Sequence, residues 1–109
     1  MEIRLASAKI KKICSSEKEM IKAVGADCAK KLKQRLVELE AAPNMTDIPA
    51  HARCHPLFGK RKGQYAVYLV HPYRLIFEPD CDPLPCKTDG GLDLSKVNKI
   101  LVKRIIDYH

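Results

Sequence analysis

The spacing of apolar residues divides the chain into extended and helical stretches. Residues 2–6 alternate between polar and apolar, which predicts a short first strand with Ile3 and Leu5 directed inward. From about residue 27 to 42 the apolar positions recur at helical spacing, so we expect a long amphipathic helix there. Its predicted apolar stripe is Ala29, Leu32, Leu36 and Leu39, and the cations predicted to lie outside that stripe are Lys30, Lys31, Lys33 and Arg35.

A shorter helical stretch precedes the long helix. Ser7 is a favourable N-cap residue for a first piece that ends near Cys14. Ser16 followed by Glu19 has the spacing of a capping box, so a second piece is expected to begin there. Gly25 is expected to close it. Together with the long helix, this stretch is predicted to form a helical hairpin on one face of a sheet.

The segment from Arg53 to Pro79 has the pattern of loop, strand, turn and strand. In residues 65–70 both alternating faces are largely apolar, which predicts a strand in the centre of its sheet. The proline of His71-Pro72 predicts a turn. In the second strand Tyr73, Leu75 and Phe77 share one face. Arg74 shares the other face with Ile76, so this charged residue needs a partner or a function.

The remaining segments complete an α+β arrangement. Residues 43–54 are predicted to be a surface connection and residues 78–91 a loop, because both are rich in proline and small or polar residues. A last strand is predicted from about residue 98 to 107, with Ile100, Val102 and Ile106 on one face. The predicted order is β-α-α-β-β-β, with the helices on one side of a mainly antiparallel sheet.

Composition and charge narrow the class of protein. A chain of 109 residues is expected to form one domain, spanning 1–109. A formal charge of +7 favours an anionic partner, and nucleic acid is the commonest one for a small basic domain. The sequence has no apolar run of the roughly 20 residues that span a bilayer, and its start has no signal-peptide core, so we expect a cytoplasmic protein.

The cysteines predict neither a disulfide framework nor a metal site. Five is an odd number, and the sequence has no CxxC pair, so free thiols are expected. A zinc site is conceivable because the right residue types are present, but their spacing is unlike that of common zinc motifs. The residues that this alternative would use are His51, Cys54, His55, Cys81 and Cys86.

Four features of the sequence form a recognisable set. They are His-Pro-Leu from residue 55, a glycine with a basic loop, Tyr-Arg-Leu-Ile-Phe from residue 73, and a strand that ends on Asp-Tyr-His. Together they resemble the HigB branch of the RelE/ParE-type toxins of bacterial type II toxin–antitoxin modules. Lys-Leu-Lys-Gln-Arg-Leu in the long helix is similar to that branch as well. The resemblance covers nearly the full length and implies a RelE-like fold.

The resemblance implies a ribosome-dependent mRNA endoribonuclease. It implies partners as well: a HigA-like helix-turn-helix antitoxin, the ribosome and mRNA, with no membrane, metal or cofactor. In such enzymes a 2′-hydroxyl attacks the adjacent phosphate and expels the 5′-oxygen, which requires a base, an acid and positive charge. The resemblance assigns these roles to His55, His109 and Arg74. Asp107 would orient or stabilise the charge of a histidine or the arginine. Tyr108 would stack on a base or donate a hydrogen bond from its hydroxyl. Lys60, Arg61 and Lys62 would hold the RNA backbone.

Each of these residues also has a structural interpretation. His55 could be an ordinary loop histidine bonded to the backbone. Arg74 could form a salt bridge with Glu78 or Asp107 across the sheet. Tyr65, Tyr68 and Tyr73 are expected in the core rather than as stacking platforms.

Two other functions are compatible with the resemblance. One is a non-catalytic ParE-like toxin, which would act by occluding a protein target such as gyrase. The other is a degenerate family member that only binds an antitoxin or RNA. Phe58 favours this last possibility, because many relatives have a basic residue just before the glycine.

Overall fold

Helices cover one face of a five-stranded sheet in the computed structural model, which describes residues 1–107. The elements are β1 (Glu2–Leu5), α1 (Ala8–Ile13), α2 (Glu17–Val24), α3 (Ala26–Ala41), β2 (His55–Pro56), β3 (Tyr65–Tyr68), β4 (Tyr73–Pro79) and β5 (Lys99–Asp107). The spatial order of the strands is β1-β5-β4-β3-β2. β1 is parallel to β5, and the other neighbours are antiparallel. The predicted α+β class and mainly antiparallel sheet are confirmed.

The helices begin and end at the predicted capping residues. The Ser7 hydroxyl accepts a hydrogen bond from the backbone N–H of Ile10 at 3.3 Å. Ser16 does the same for Glu19 at 3.2 Å, which starts α2. Gly25 separates α2 from α3 at a φ of 87°, a conformation that favours glycine. The first helical stretch is therefore two short helices, and α2 pairs with α3 in the predicted hairpin.

The main core lies between the helices and the sheet. Side chains from all three helices pack there against alternate residues of the strands, and each fully buried large side chain contributes about 1.5–3 kcal/mol. Tyr65 and Tyr73 pack against this core, as predicted. Its fully buried members include Ile10, Leu32, Leu39, Val67, Leu75, Phe77, Val97, Ile100 and Val102.

The prediction that Arg35 faces solvent is wrong. Arg35 is only 4% exposed. Its Nε donates to the backbone carbonyl of Tyr68 at 2.7 Å, and its other end donates to the Glu38 carboxylate at 2.8 Å. Position 35 lies three residues after Leu32 and four before Leu39, so helical periodicity alone places it on the buried stripe. A buried arginine is stable there because both its charge and its donors are matched.

The connection between α3 and the central hairpin also differs from the prediction. Residues 43–54 contribute buried side chains to the core, among them Met45, Ile48 and Ala52, and they contain two short 3₁₀ turns. They are therefore not only a surface connection. The segment then forms β2, a two-residue strand that the sequence did not predict. Tertiary pairing with β3 defines β2, since His55 lies opposite Ala66 and Pro56 opposite Tyr65.

A β-bulge divides β5 into two halves that face differently. Phe77 lies opposite Val102 but its neighbour Ile76 lies opposite Arg104, so β5 has one extra residue at Lys103. Ile100 and Val102 face the main core, as predicted. Ile106 does not share their face. It joins Leu57, Ala66 and Ile76 in a small cluster on the opposite side of the sheet.

No helix within residues 1–107 has both the length and the apolar character needed to cross a membrane.

Replacing Arg35 tests the connection between α3 and β3. We expect Arg35→Met to lower the free energy of unfolding by about 2–4 kcal/mol, because it removes the charge partner of Glu38 and the hydrogen bond to the partly buried Tyr68 carbonyl. Urea denaturation would measure the change. Lys30→Met is the matched control, since Lys30 is exposed on the same helix. Equal stability of the two variants would contradict this account.

Candidate active site on the helix-free face

Three side chains from three neighbouring strands meet on the face of the sheet opposite the helices. We call this the helix-free face. Residues directly opposite each other in antiparallel strands share a face. His55 lies opposite Ala66, and Tyr68 lies opposite Arg74. Because Ala66 and Tyr68 are two residues apart, His55, Tyr68 and Arg74 all share this face.

The ring of Tyr68 is the centre of this group. The Cζ atom of Arg74 lies 3.7 Å from the centroid of the ring, which is close enough for a cation–π interaction. The His55 ring approaches Tyr68 edge-on, with 5.8 Å between centroids. The Cζ atom of Arg53 is 5.4 Å from the same centroid. Tyr68 is half-buried and faces away from the main core, which differs from the expected core position.

Sequence reasoning did not assign Tyr68 or Arg53 to the site. Tyr68 could have been found from the period of two, since it alternates with the core residue Val67. Arg53 could not, because its position depends on a left-handed backbone conformation with a φ of 54°. Such a conformation is uncommon for residues other than glycine and costs about 1–2 kcal/mol.

The hydrogen bond of His55 defines which ring nitrogen carries its proton. Nδ1 lies 2.8 Å from the backbone carbonyl of Arg53. A carbonyl oxygen can only accept, so Nδ1 donates and, in the neutral ring, Nε2 has the free lone pair. Within residues 1–107, Nε2 has no hydrogen-bond partner. His55 is therefore bonded to the backbone through one ring nitrogen and is a potential proton acceptor through the other.

Arg74 binds the backbone of the sheet, and Glu78, one of the two acids considered as its structural partner, pairs elsewhere. One of its terminal N–H groups donates to the backbone carbonyl of Tyr73 at 2.8 Å. Glu78 accepts from Lys103 at 3.5 Å instead. The contact with the Tyr68 ring uses the positive charge of Arg74 but not its N–H groups. These donors have the planar geometry that binds two phosphate oxygens at once.

The three cations of the predicted RNA-binding loop begin four residues after the end of β2. Gly59–Arg61 form a 3₁₀ turn that begins at a glycine with a φ of 65°. In the described part of the chain, Lys60, Arg61 and Lys62 form no ion pair. Their charge is thus uncompensated and lies beside the strand that carries His55.

The predicted C-terminal site residues are only partly within the described structure. Asp107 lies opposite Tyr73, so by register it is on the helix-covered face, whereas Arg74 and Ile106 are on the helix-free face. Register therefore does not bring Asp107 together with His55 and Arg74. Tyr108 and His109 lie outside the described residues.

A chain of hydrogen bonds connects the site to α3. The Glu38 carboxylate accepts from Arg35, from Gln34 and from the Nε2 side of His51. Arg35 also binds the backbone of Tyr68. His51 is four residues before His55, so Glu38 restrains both the strand that carries Tyr68 and the segment that carries His55. We call Arg35, Glu38 and His51 the clamp.

Burial alone would raise the pKa of Glu38. The hydrogen bonds from His51, Gln34 and Arg35 and the charge of Arg35 outweigh that effect, so the pKa of this carboxyl lies below its ordinary value of 4.5. The carboxylate therefore stays ionised and keeps the clamp closed at neutral pH.

Cys54 is a half-buried thiol beside the site. It lines a cavity of about 360 Å³ together with Arg53, His55 and Tyr65. Burial raises the pKa of Cys54 to about 11, so its thiol is protonated and unreactive at neutral pH. All five cysteines are free thiols, as predicted. Within residues 1–107, no three histidine, cysteine, aspartate or glutamate side chains are grouped so that they could hold a metal ion.

Comparison with known proteins identifies the fold but not the activity. No protein-family model matches the chain. No curated protein matches it either. Among solved structures, the chain is similar to a YoeB/ParE toxin from Agrobacterium tumefaciens, with a TM-score of 0.57, 10% sequence identity and complete coverage of both chains. At that identity the similarity shows the fold alone, and it confirms the predicted RelE-like architecture.

The lowered pKa of Glu38 predicts how stability depends on pH. The unfolded carboxyl binds a proton at higher pH than the folded one, so the stabilisation is present above 4.5 and is lost as the pH falls through the lowered value. We expect Glu38→Gln to show a smaller loss of unfolding free energy between neutral pH and pH ~3 than the unmodified protein. Urea denaturation across this range would measure it. Glu40→Gln, at an exposed position of α3, should retain the steep decrease.

Labelling of Cys54 would report whether the clamp holds the His55 segment. His51→Ala removes a bond to Glu38, so the segment should open more often and iodoacetamide should label Cys54 about fivefold faster, as expected for one lost hydrogen bond. Mass spectrometry would measure the rate at each cysteine. Cys28, buried in the main core, should be labelled at an unchanged rate. Faster labelling of both thiols would indicate general destabilisation instead.

Proposed function

We propose that this protein is the toxin of a type II toxin–antitoxin module and that it cleaves translated mRNA on the ribosome. The observation that carries the proposal is the meeting of His55 and Arg74 at the Tyr68 ring. A histidine with a free Nε2 and a cation with planar donors are two of the three groups that RNA cleavage requires. The RelE-like fold supports the toxin class.

The proposed reaction is an internal transfer at one phosphodiester. Nε2 of His55 accepts the proton of a 2′-hydroxyl, and the 2′-oxygen bonds to the adjacent phosphorus. Arg74 stabilises the negative charge that develops on the phosphate oxygens. The bond to the 5′-oxygen then breaks, and that oxygen receives a proton from an acid. The products are a 2′,3′-cyclic phosphate and a 5′-hydroxyl end.

His109 is the proposed acid, with Asp107 and Tyr108 in supporting roles. This assignment rests on the similarity of the C-terminal Asp-Tyr-His to the HigB branch. The three uncompensated cations Lys60, Arg61 and Lys62 are proposed to bind RNA phosphates beside His55, because each such contact releases counterions and adds affinity.

The proposed partners follow from the same class of protein. They are a HigA-like helix-turn-helix antitoxin, which would neutralise the toxin, and the ribosome carrying mRNA. The net charge of +7 supports docking on ribosomal RNA.

A second candidate is a non-catalytic toxin of the ParE type. The register of Asp107 favours it, because this residue lies on the other face of the sheet from His55 and Arg74. Such a toxin would block a protein target and leave mRNA intact.

Site variants separate the two candidates. Expression without an antitoxin should arrest growth, and His55→Ala should reduce the rate of mRNA cleavage on ribosomes by about 10²–10⁴-fold. Arg74→Ala should reduce it by about 10²–10³-fold, because it removes charge at the developing phosphorane. His109→Ala should relieve the arrest as well. Sequencing of transcript 5′ ends and single-turnover cleavage would measure these effects.

His71→Ala is the matched control, since His71 is exposed and outside the site. It should cleave at the unmodified rate. Growth arrest with intact transcripts and damaged DNA would refute the nuclease and favour the ParE-type function. Full cleavage by His109→Ala would remove His109 from the mechanism.

A further inference from the structure

An exposed aromatic side chain stands between His55 and the basic loop. Phe58 is 82% exposed, more than any other large apolar side chain among residues 1–107. Its neighbour Leu57 is 7% exposed and packs in the small cluster on the helix-free face. The sequence thus buries one apolar residue at this point and leaves the next, larger one in solvent. Phe58 contributes little to folding, because most of its ring remains in water.

The backbone around Phe58 is held in place. The N–H of Leu57 donates to the carbonyl of Gln64 at 2.9 Å, which continues the pairing of β2 with β3 to the base of the loop. The carbonyl of Phe58 accepts from the N–H of Arg61 at 3.3 Å. Phe58 therefore sits at the start of an ordered turn. Phe58 is three positions after His55, so the two Cα atoms are at most about 11 Å apart.

The charge around Phe58 selects the chemistry of its ligand. Lys60, Arg61 and Lys62 have no acidic partner in the described structure, so three uncompensated positive charges follow Phe58 within four residues along the chain. Phe58 also borders an apolar cavity of about 350 Å³ with Leu57, Leu84 and Leu92 in its wall. A ligand that matches this surface has negative charges and flat, apolar faces. Single-stranded nucleic acid has both, and proteins bind its bases by stacking them on aromatic side chains.

We propose that Phe58 is a stacking platform for one base of the RNA, with the basic loop binding the phosphates next to that base. The inference rests on the proposed function for the identity of the ligand. It adds a base-binding site at the β2 edge of the sheet, with the Phe58 backbone within about 11 Å of that of His55. Phe58 follows Leu57 in extended backbone and so points to the other side of β2 from His55, which means that a bound strand would pass around this edge. Such a site would fix the position of the strand relative to the proposed base and would favour some nucleotides over others through the strength of stacking.

The absence of tryptophan from the sequence allows a direct measurement. Phe58→Trp introduces a single tryptophan, whose fluorescence is quenched when a base stacks on it. The probe is a short single-stranded oligonucleotide of mixed sequence with 2′-methoxy groups, which cannot be cleaved by 2′-hydroxyl attack. We expect saturable quenching with this probe and none with an abasic oligonucleotide of the same length.

Two comparisons make the measurement specific. Val37→Trp places the only tryptophan at another exposed apolar position, on α3, where Val37 is 67% exposed, and should show no saturable quenching. In a second assay, fluorescence anisotropy of the labelled probe measures affinity for tryptophan-free variants. Phe58→Ala should bind about 5- to 150-fold more weakly, whereas Phe58→Tyr should bind like the unmodified protein.

Three results would overturn the inference: absence of saturable quenching, equal quenching by the abasic strand, or unchanged affinity of Phe58→Ala. An acidic, leucine-containing peptide that quenches Phe58→Trp when the oligonucleotide does not would also overturn it and assign the surface to a protein partner. The probe cannot be cut, so these readouts do not depend on catalysis. Stacking without any cleavage of mRNA would refute the nuclease and leave the platform standing.

Discussion

The burial of Arg35 is the constraint on which the site depends. A guanidinium removed from water is stable only if its charge and its donors are matched, and here the matching groups come from two different elements. Glu38 is on the same helix, and the Tyr68 carbonyl is at the end of β3. Satisfying the arginine therefore fixes α3 against the strand that carries the aromatic ring. The same carboxylate binds His51, so one acid also restrains the segment that leads to His55.

This arrangement puts the main core and the candidate site on opposite faces of the sheet. The face of the sheet under the helices is apolar and makes the main core. The helix-free face has only a small cluster of Leu57, Ala66, Ile76 and Ile106, and around it stand the polar side chains of the candidate site. Tyr68 connects the two faces, because its backbone carbonyl accepts from Arg35 of the clamp and its ring contacts Arg53, His55 and Arg74. The cations that surround these residues can therefore serve a ligand, since the fold does not need them as ion pairs.

Local sequence patterns predicted much of the fold. The caps at Ser7, Ser16 and Gly25 depend on residues a few positions apart, so they could be identified without knowing the tertiary structure. The faces of β4 follow from simple alternation. By contrast, β2 is two residues long and is defined only by its partner strand. Because β2 pairs with β3, His55 lies in the sheet rather than in a loop.

The site was harder to predict for a related reason. Residue type and resemblance single out His55 and Arg74. The apolar pattern of residues 65–70 predicts a core position for Tyr68, although its ring contacts both of them. Its environment depends on which strand lies beside β3 and in what register, and both are properties of long-range pairing. Periodicity also failed at Ile106, because no local pattern marks the extra residue in β5.

The extra residue in β5 determines which surface of the sheet each later side chain of that strand faces. A strand normally assigns its side chains to two surfaces by strict alternation, so any change of length before its end exchanges every later residue between them. In β5 the extra residue at Lys103 shifts this alternation by one position. Ile100 and Val102 come before it and face the main core, and the residues after it alternate in the shifted phase. Without this shift, Arg104 would face the main core and Ile105 would face away from it, so the bulge keeps a charged side chain off the core face and an apolar one on it.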